Sequence, residues 1–454
     1  MSNTEAGPNS SGFFSRLRTV FRSRNFTVIL LTNYTGSVFI AAFIYLNLFF
    51  RDVGISYFEL GVANGWAAFV GFFGTMLGGY WADACKGKYR KVMATFNKFF
   101  ITIAILAIAF TTNLLGLLFA WTVFGISQFC QSSIDPILFE SLPPDHMGTG
   151  TSLFTLGGAF GLLGLLVVGF LIRDGFVAGL RIFWLLAAVS SFIDFVIRWV
   201  FLEQTQHSQD AAVAEAGRFA QDLFQQYRTG LKVLASTIPL FLIVFLLDVL
   251  SDVCYSFAQT FFLNEDVGMD YSAINSVMIG SLAIGMIGGL FAGALLDKSR
   301  SEARVMFLAY LLLPFSVLLL LYSPIYPRWT SYNSLGTVIA STAFVAVVIK
   351  AGNDVVWRTI AWGAVGRKLP REHTGKVMAI LSMMISLAFT VAMPVAGYIY
   401  EVEGGVPLLV IALVLNITIL CLLLVGWIRS DEDHPDQIAE IDRLETPVHE
   451  IIAS

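Results

Sequence analysis

Five polar side chains interrupt one apolar stretch of this chain: Asp248, Ser251, Asp252, Tyr255 and Gln259. Positions 248, 252, 255 and 259 recur with the helical period, so on a helix they form one polar stripe. A second apolar stretch carries Lys350, Asn353, Asp354, Trp357 and Arg358, with Lys350 and Asp354 four apart on one face. A charge at the centre of a bilayer costs about 2.5–3.5 kcal/mol on insertion scales, so it faces a cavity or an opposite charge. Such a set can pair ions, hydrogen-bond a polar solute and take up protons, because a carboxylate without a counter-charge in an apolar setting favours its protonated form. At about 1.5 Å per residue, Asp248 and Lys350 lie at similar depth in their helices. A pair between Lys350 and either Asp248 or Asp252 is expected, with at least one acid left over. A static charge network that merely holds helices together is the other reading of the same residues.

Milder polar groups lie earlier in the chain. Asn33 and Tyr34 fall in the first apolar stretch, and Gln128 and Gln131 in the fourth. Hydrogen bonds between helices and contacts to a ligand both suit them. Asp194 and Arg198, four apart in the sixth stretch, read as a structural pair.

The elements that position these residues follow from composition. The chain has 454 residues, is 56% hydrophobic and 13% charged, and has a mean hydropathy of +0.74. Stretches of about 20 apolar residues recur, each long enough to span the hydrocarbon core, and twelve are expected. Residues 1–25 are a polar tail, 26–201 a first bundle of six helices, and 202–237 a partly helical loop. Residues 238–428 are a second bundle and 429–454 an acidic tail. A net charge of −4 gives no attraction to nucleic acid. The four cysteines have no paired spacing, and the five histidines lie in loops or tails. No metal site and no cofactor is therefore expected, and no histidine proton relay within the membrane.

The two bundles repeat one another. Asp52-Val-Gly54 recurs as Asp266-Val-Gly268, Tyr57 as Tyr271, and Gly79-x-x-x-Asp83 as Gly293-x-x-x-Asp297, all at an offset of 214. Paired membrane halves of this kind are the sequence pattern of transporters, with the solute site between them near the midplane. Of 28 Lys and Arg, this topology places only Arg51, Arg173, Arg181 and Arg328 on the side away from the termini, and Lys350 within a span. The excess on the other side orients both termini to the cytoplasm. A multi-pass protein of the cell membrane is expected.

The loop after the second span reads Gly79-Tyr-Trp-Ala-Asp83-Ala-Cys-Lys-Gly87-Lys88-Tyr-Arg90-Lys91. A small residue lets helices approach, an acid one turn on can meet a helix N-terminus, a glycine turns the chain, and bases hold the inner surface. This resembles the Gly-x-x-x-Asp-x-x-Gly-Arg-Lys loop of the major facilitator superfamily, and Gly293 to Asp297 resembles its weaker second copy. One extra residue between Asp83 and Gly87 departs from the pattern, as does Ala84 in place of a base. The resemblance implies an all-α fold of twelve helices in two pseudo-symmetric six-helix bundles. It implies a central cavity lined by the first, fourth, seventh and tenth spans, and a cytoplasmic gate built on Gly79, Asp83, Gly87, Lys88, Arg90, Lys91, Glu140, Gly293 and Asp297.

The expected function is secondary active transport of a small polar or cationic organic solute by alternating access, with protons as the coupling ion, carried out by a monomer in the lipid bilayer. The expected solute and proton residues are Asp248, Asp252, Tyr255, Gln259, Lys350 and Asp354, with Asn33, Tyr34, Gln128 and Gln131 from the first bundle. A facilitative uniporter of a neutral or zwitterionic solute is the alternative. A receptor or scaffold of transporter shape without flux is a third, and no motif of an enzyme is present.

Overall fold

The computed structural model describes residues 18–84, 89–142, 153–154, 156–204, 239–297, 302–325, 335–368 and 374–432. Among the described residues there is no strand. Helix α1 (Arg24–Asp52) is tightened by a 3-10 turn at Ala41–Tyr45. It is followed by α2 (Tyr57–Ala84), α3 (Arg90–Phe110), α4 (Leu114–Gln131), α5 (Gly161–Leu171) and α6 (Phe176–Phe201). The second half holds α7 (Pro239–Glu265), α8 (Tyr271–Asp297), α9 (Arg304–Tyr322), α10 (Thr342–Lys368), α11 (Thr374–Glu403) and α12 (Gly405–Glu432). Among the described residues ten helices are long and apolar enough to cross a membrane. Against the twelve expected, α5 and α10 fall outside this set. Helix α5 is only 11 residues long after a 3-10 turn at Leu156–Phe160, and α10 carries Lys350, Asp354 and Arg358 in successive turns.

Local sequence fixes the helix ends. Ser56 and Glu59 form a reciprocal cap at the start of α2, the Ser56 hydroxyl accepting from the Glu59 amide and the Glu59 carboxylate from the Ser56 amide. Asp270 accepts from the Ala273 amide at 2.7 Å to open α8. The repeated Asp-Val-Gly ends α1 and α7 alike, and Gly54 and Gly268 both have positive φ, at 100° and 77°, which glycine alone adopts cheaply.

Each half packs on itself, α2 on α4 and α3 on α4 and α6 in the first, α8 on α10 and α7 on α11 and α12 in the second. The halves meet through α2 against α11 and α5 against α8. Glycine permits the first contact. A Cβ on Gly61 would lie 2.5 Å from the Met393 carbonyl oxygen. One on Gly65 would lie 2.7 Å from that of Thr390, the carbonyl that Pro394 leaves without a helical donor. One apolar cluster joins both halves, with Tyr45, Phe49 and Leu60 beside Phe261, Ile274 and Tyr400. Nearer the termini the apolar packing divides into two clusters, one around Phe26 and Ile134 and the other around Phe241 and Trp357. The halves are therefore sealed together at the end away from the termini.

Candidate functional site

A cavity of about 310 Å³ lies between the halves. Helix α7 contributes Asp252, Tyr255 and Gln259, α10 contributes Lys350 and Asp354, and α1 contributes Phe43, Ile44 and Asn47. Lys350 Nζ donates to Asp252 Oδ1 at 3.1 Å and also pairs with Asp354 one turn along its own helix. The ammonium stands 4.7 Å from the centre of the Tyr255 ring, an attraction between cation and ring face. Arg358, from the more exposed end of the cluster, donates to the second Asp252 oxygen at 2.7 Å. The Tyr255 and Thr260 hydroxyls are buried at this cavity without a hydrogen-bond partner among the described residues. Buried polar groups are nearly always bonded, so these two hydroxyls are exceptions at the edge of the cavity.

Of the two partners expected for Lys350, the structure pairs it with Asp252. Asp248 is absent from the cavity lining. It accepts from the Tyr310 hydroxyl at 3.0 Å and from Trp357 Nε1 at 3.0 Å. The same Tyr310 oxygen lies 2.7 Å from Asn416 Oδ1, which accepts from the Ser251 hydroxyl at 2.7 Å. The sequence stripe is real, but the large Trp357 and Tyr310 side chains cover its first turn. No basic side chain lies within ion-pair distance of Asp248 among the described residues.

The first-half residues divide differently from the expectation. Asn33, Gln128 and Gln131 line a second cavity of about 290 Å³ inside the first half. Tyr34 turns away, donating to the Leu153 carbonyl at 2.5 Å and stacking on Phe160 with ring centres 4.5 Å apart. Asp194 pairs with Lys98 of α3 at 2.8 Å, in place of the expected Arg198. Lys98 was therefore misplaced with the loop charges by the sequence count. It lies two turns into α3, about 12 Å along the axis at 1.5 Å per residue, and the depth argument applied to Lys350 would have found it.

At the sealed end, Arg51 of α1 pairs with Glu265 of α7, and Tyr57 and Tyr400 donate to the same carboxylate at 2.6 and 3.0 Å. Tyr45 donates to Asn275 of α8 at 2.6 Å. At the other end, Arg90 pairs with Glu140 within the first half, and the Lys91 amide donates to Gln204 Oε1 at 3.3 Å. Gly79 lies in α2 with open space where a Cβ would stand. Asp83, Gly293 and Asp297 lie on α2 and α8 with side chains outside the described residues, as do Gly87 and Lys88 entirely. Most of the expected 202–237 loop lies outside them too.

Two linked bundles around a polar cavity define a membrane transporter. The sequence matches the Major Facilitator Superfamily over residues 26–356 and again over 242–452, and the chain belongs to that family. The fold resembles solved transporters. A variant of the nucleoside transporter NupG superposes with a TM-score of 0.68 at 13% identity, over 88% of this chain and 99% of that one. A POT family transporter in complex with 5-aminolevulinic acid gives 0.66 at 15%, over 92% and 98%. A D-xylose–proton symporter gives 0.64 at 14%, over 90% and 97%. No curated protein sequence matches the chain.

Proposed function

We propose that this transporter moves a small polar solute bearing a positive charge, coupled to protons, through the cavity between α1, α7 and α10. The observation that carries the reading is the clamp on Lys350. Its ammonium is shared by Asp252 and Asp354, and Asp252 is shared again with Arg358. Three carboxylates, counting Asp248, stand against two cations. A solute cation or a proton entering the cavity competes with Lys350 for the same oxygens, so binding of one changes the affinity for the other. Tyr255 and Gln259 supply neutral hydrogen bonds beside the acids. At about 310 Å³ the cavity falls at the small end of ligand pockets.

The halves are joined at the end away from the termini, through Arg51–Glu265 and Tyr45–Asn275. This arrangement supports alternating access, with the sealed end on the outside if both termini are cytoplasmic. The test is uptake of a solute library by full-length protein in liposomes under pH gradients of either sign. Coupled transport requires accumulation that follows the proton gradient. Uptake indifferent to that gradient would indicate a uniporter, and absence of flux for every solute would leave only a receptor or scaffold.

A further inference from the structure

The first half holds a charged group that the central cavity does not use. Lys98 of α3 and Asp194 and Arg198 of α6 are all buried. Lys98 Nζ donates to Asp194 Oδ2 at 2.8 Å and to the Thr32 carbonyl at 2.7 Å. The Thr35 hydroxyl lies 2.8 Å from both Asp194 oxygens. Among the described residues Arg198 donates only to neutral acceptors: Thr32 Oγ1 at 2.9 Å, the Ala94 carbonyl at 2.8 Å and Asn97 Oδ1 at 3.4 Å. Two cations thus share one carboxylate. A buried charge without a counter-charge is costly, so a surplus cation bordering an open space is a place for an anion.

The open space is the first-half cavity of about 290 Å³, which Lys98, Asp194 and Arg198 border together with Asn33, Gln128 and Gln131. Gln128 and Gln131 present side-chain amides along the lining of this cavity, beside Lys98 and Arg198. Phe43 lines this cavity and the central one alike. The two cavities therefore adjoin across one side chain of α1, with a surplus cation in the first half and a surplus carboxylate in the second.

We propose that the first-half cavity is a carboxylate subsite. Arg198 and Lys98, with the amides of Gln128 and Gln131, bind the acidic end of a solute whose ammonium end goes to Asp252 and Asp354 past Phe43. The transported solute is then a zwitterion. The inference rests on the central cavity being the solute site. A guanidinium suits this task because its planar fork matches a carboxylate.

The test uses full-length protein in liposomes and matched trios of probes: an amino acid, its carboxamide, and the amine lacking the acid. The zwitterion is expected to exceed both congeners by about tenfold or more in kcat/KM, the loss that follows removal of a charged hydrogen-bonding group. In Arg198→Gln its advantage over the amide disappears. Gln128→Ala, which leaves the buried ion pair intact, reduces that advantage in the same direction. Equal transport of zwitterion and amide overturns the subsite while leaving proton-coupled transport standing, as does an advantage that survives both substitutions. Absence of flux for every member of every trio overturns both proposals.

Discussion

Arg51 and Glu265 stand at equivalent positions of the two halves, 214 residues apart, and pair with one another. An element can contact its own repeat only where the pseudo-twofold axis passes, so this pair marks the axis at the sealed end. The equivalent tyrosines cross it in opposite directions. Tyr57 donates to Glu265 at 2.6 Å, and Tyr271 donates to Asp52 at 2.5 Å. The repeat places like residues at like positions, yet Arg against Glu at one of them converts symmetry into attraction.

The pair is partly exposed, at 18% for Arg51 and 34% for Glu265, so its contribution is about 1 kcal/mol. That is about fivefold in the ratio of sealed to open conformers. Arg51→Glu is expected to speed labelling of an Asn47→Cys reporter in the central cavity by an impermeant maleimide applied from the side away from the termini. The double variant Arg51→Glu, Glu265→Arg should slow it again. Equal labelling rates in all three proteins would remove the pair from the gate.

Gly61 tests the helix contact in the same region. Its Cβ would meet backbone atoms of α11, including the Gly397 Cα at 3.0 Å, and backbone cannot move aside as a flexible side chain does. Gly61→Ala is expected to cost about 1–3 kcal/mol of stability, read as a lower thermal midpoint of the purified protein. Gly71→Ala is the control, because nothing lies within 4 Å of its Cβ position, and alanine favours a helix over glycine.

Asp266, in the turn between α7 and α8, gives a pH signature. Burial, and then the neighbouring Glu265 carboxylate, raise its carboxyl above the ordinary value. The folded protein therefore holds that proton more tightly than the unfolded chain. The sign follows: stability is greater below this window and declines as pH rises through it. The window begins near the ordinary aspartate value of about 3.9. Asp266→Asn should flatten the pH dependence of the thermal midpoint there and raise the midpoint at neutral pH. An unchanged profile would mean that Asp266 does not contribute.

Much of this was legible in the sequence because periodicity and repetition report directly on helices and symmetry. Asp52-Val-Gly54 and Asp266-Val-Gly268 are the clearest example, since a helix end with positive φ requires glycine and the repeat shows it twice. The stripe on α7 likewise placed Asp252, Tyr255 and Gln259 on one cavity wall. What a single helix cannot report is which neighbour covers each turn. Asp248 shares the angular position of Asp252, yet Trp357 and Tyr310 close over it. The depth of Lys98 could be read from its position in α3, but its pairing could not: its partner Asp194 is 96 positions away on a different helix, and no local spacing encodes that meeting.

That difference between Asp248 and Asp252 makes the sharpest prediction about the site. Asp248 ties α7 to α9 and α10 through neutral donors. Asp248→Ala leaves the Trp357 donor buried without an acceptor, which costs about 1–3 kcal/mol and should appear as a lower thermal midpoint. Asp252 joins charged groups instead. In Asp252→Asn, Lys350 keeps Asp354 and the exposed Arg358 returns to water, so the fold should persist with a midpoint near that of the parent. Uptake driven by an imposed pH gradient is expected to fall at least tenfold, while exchange of solute across liposomes without a gradient continues. An Asp252→Asn protein that still accumulates solute against its gradient would show that the coupling proton binds elsewhere, and an Asp252→Asn protein that fails to fold would return the cluster to a purely structural role.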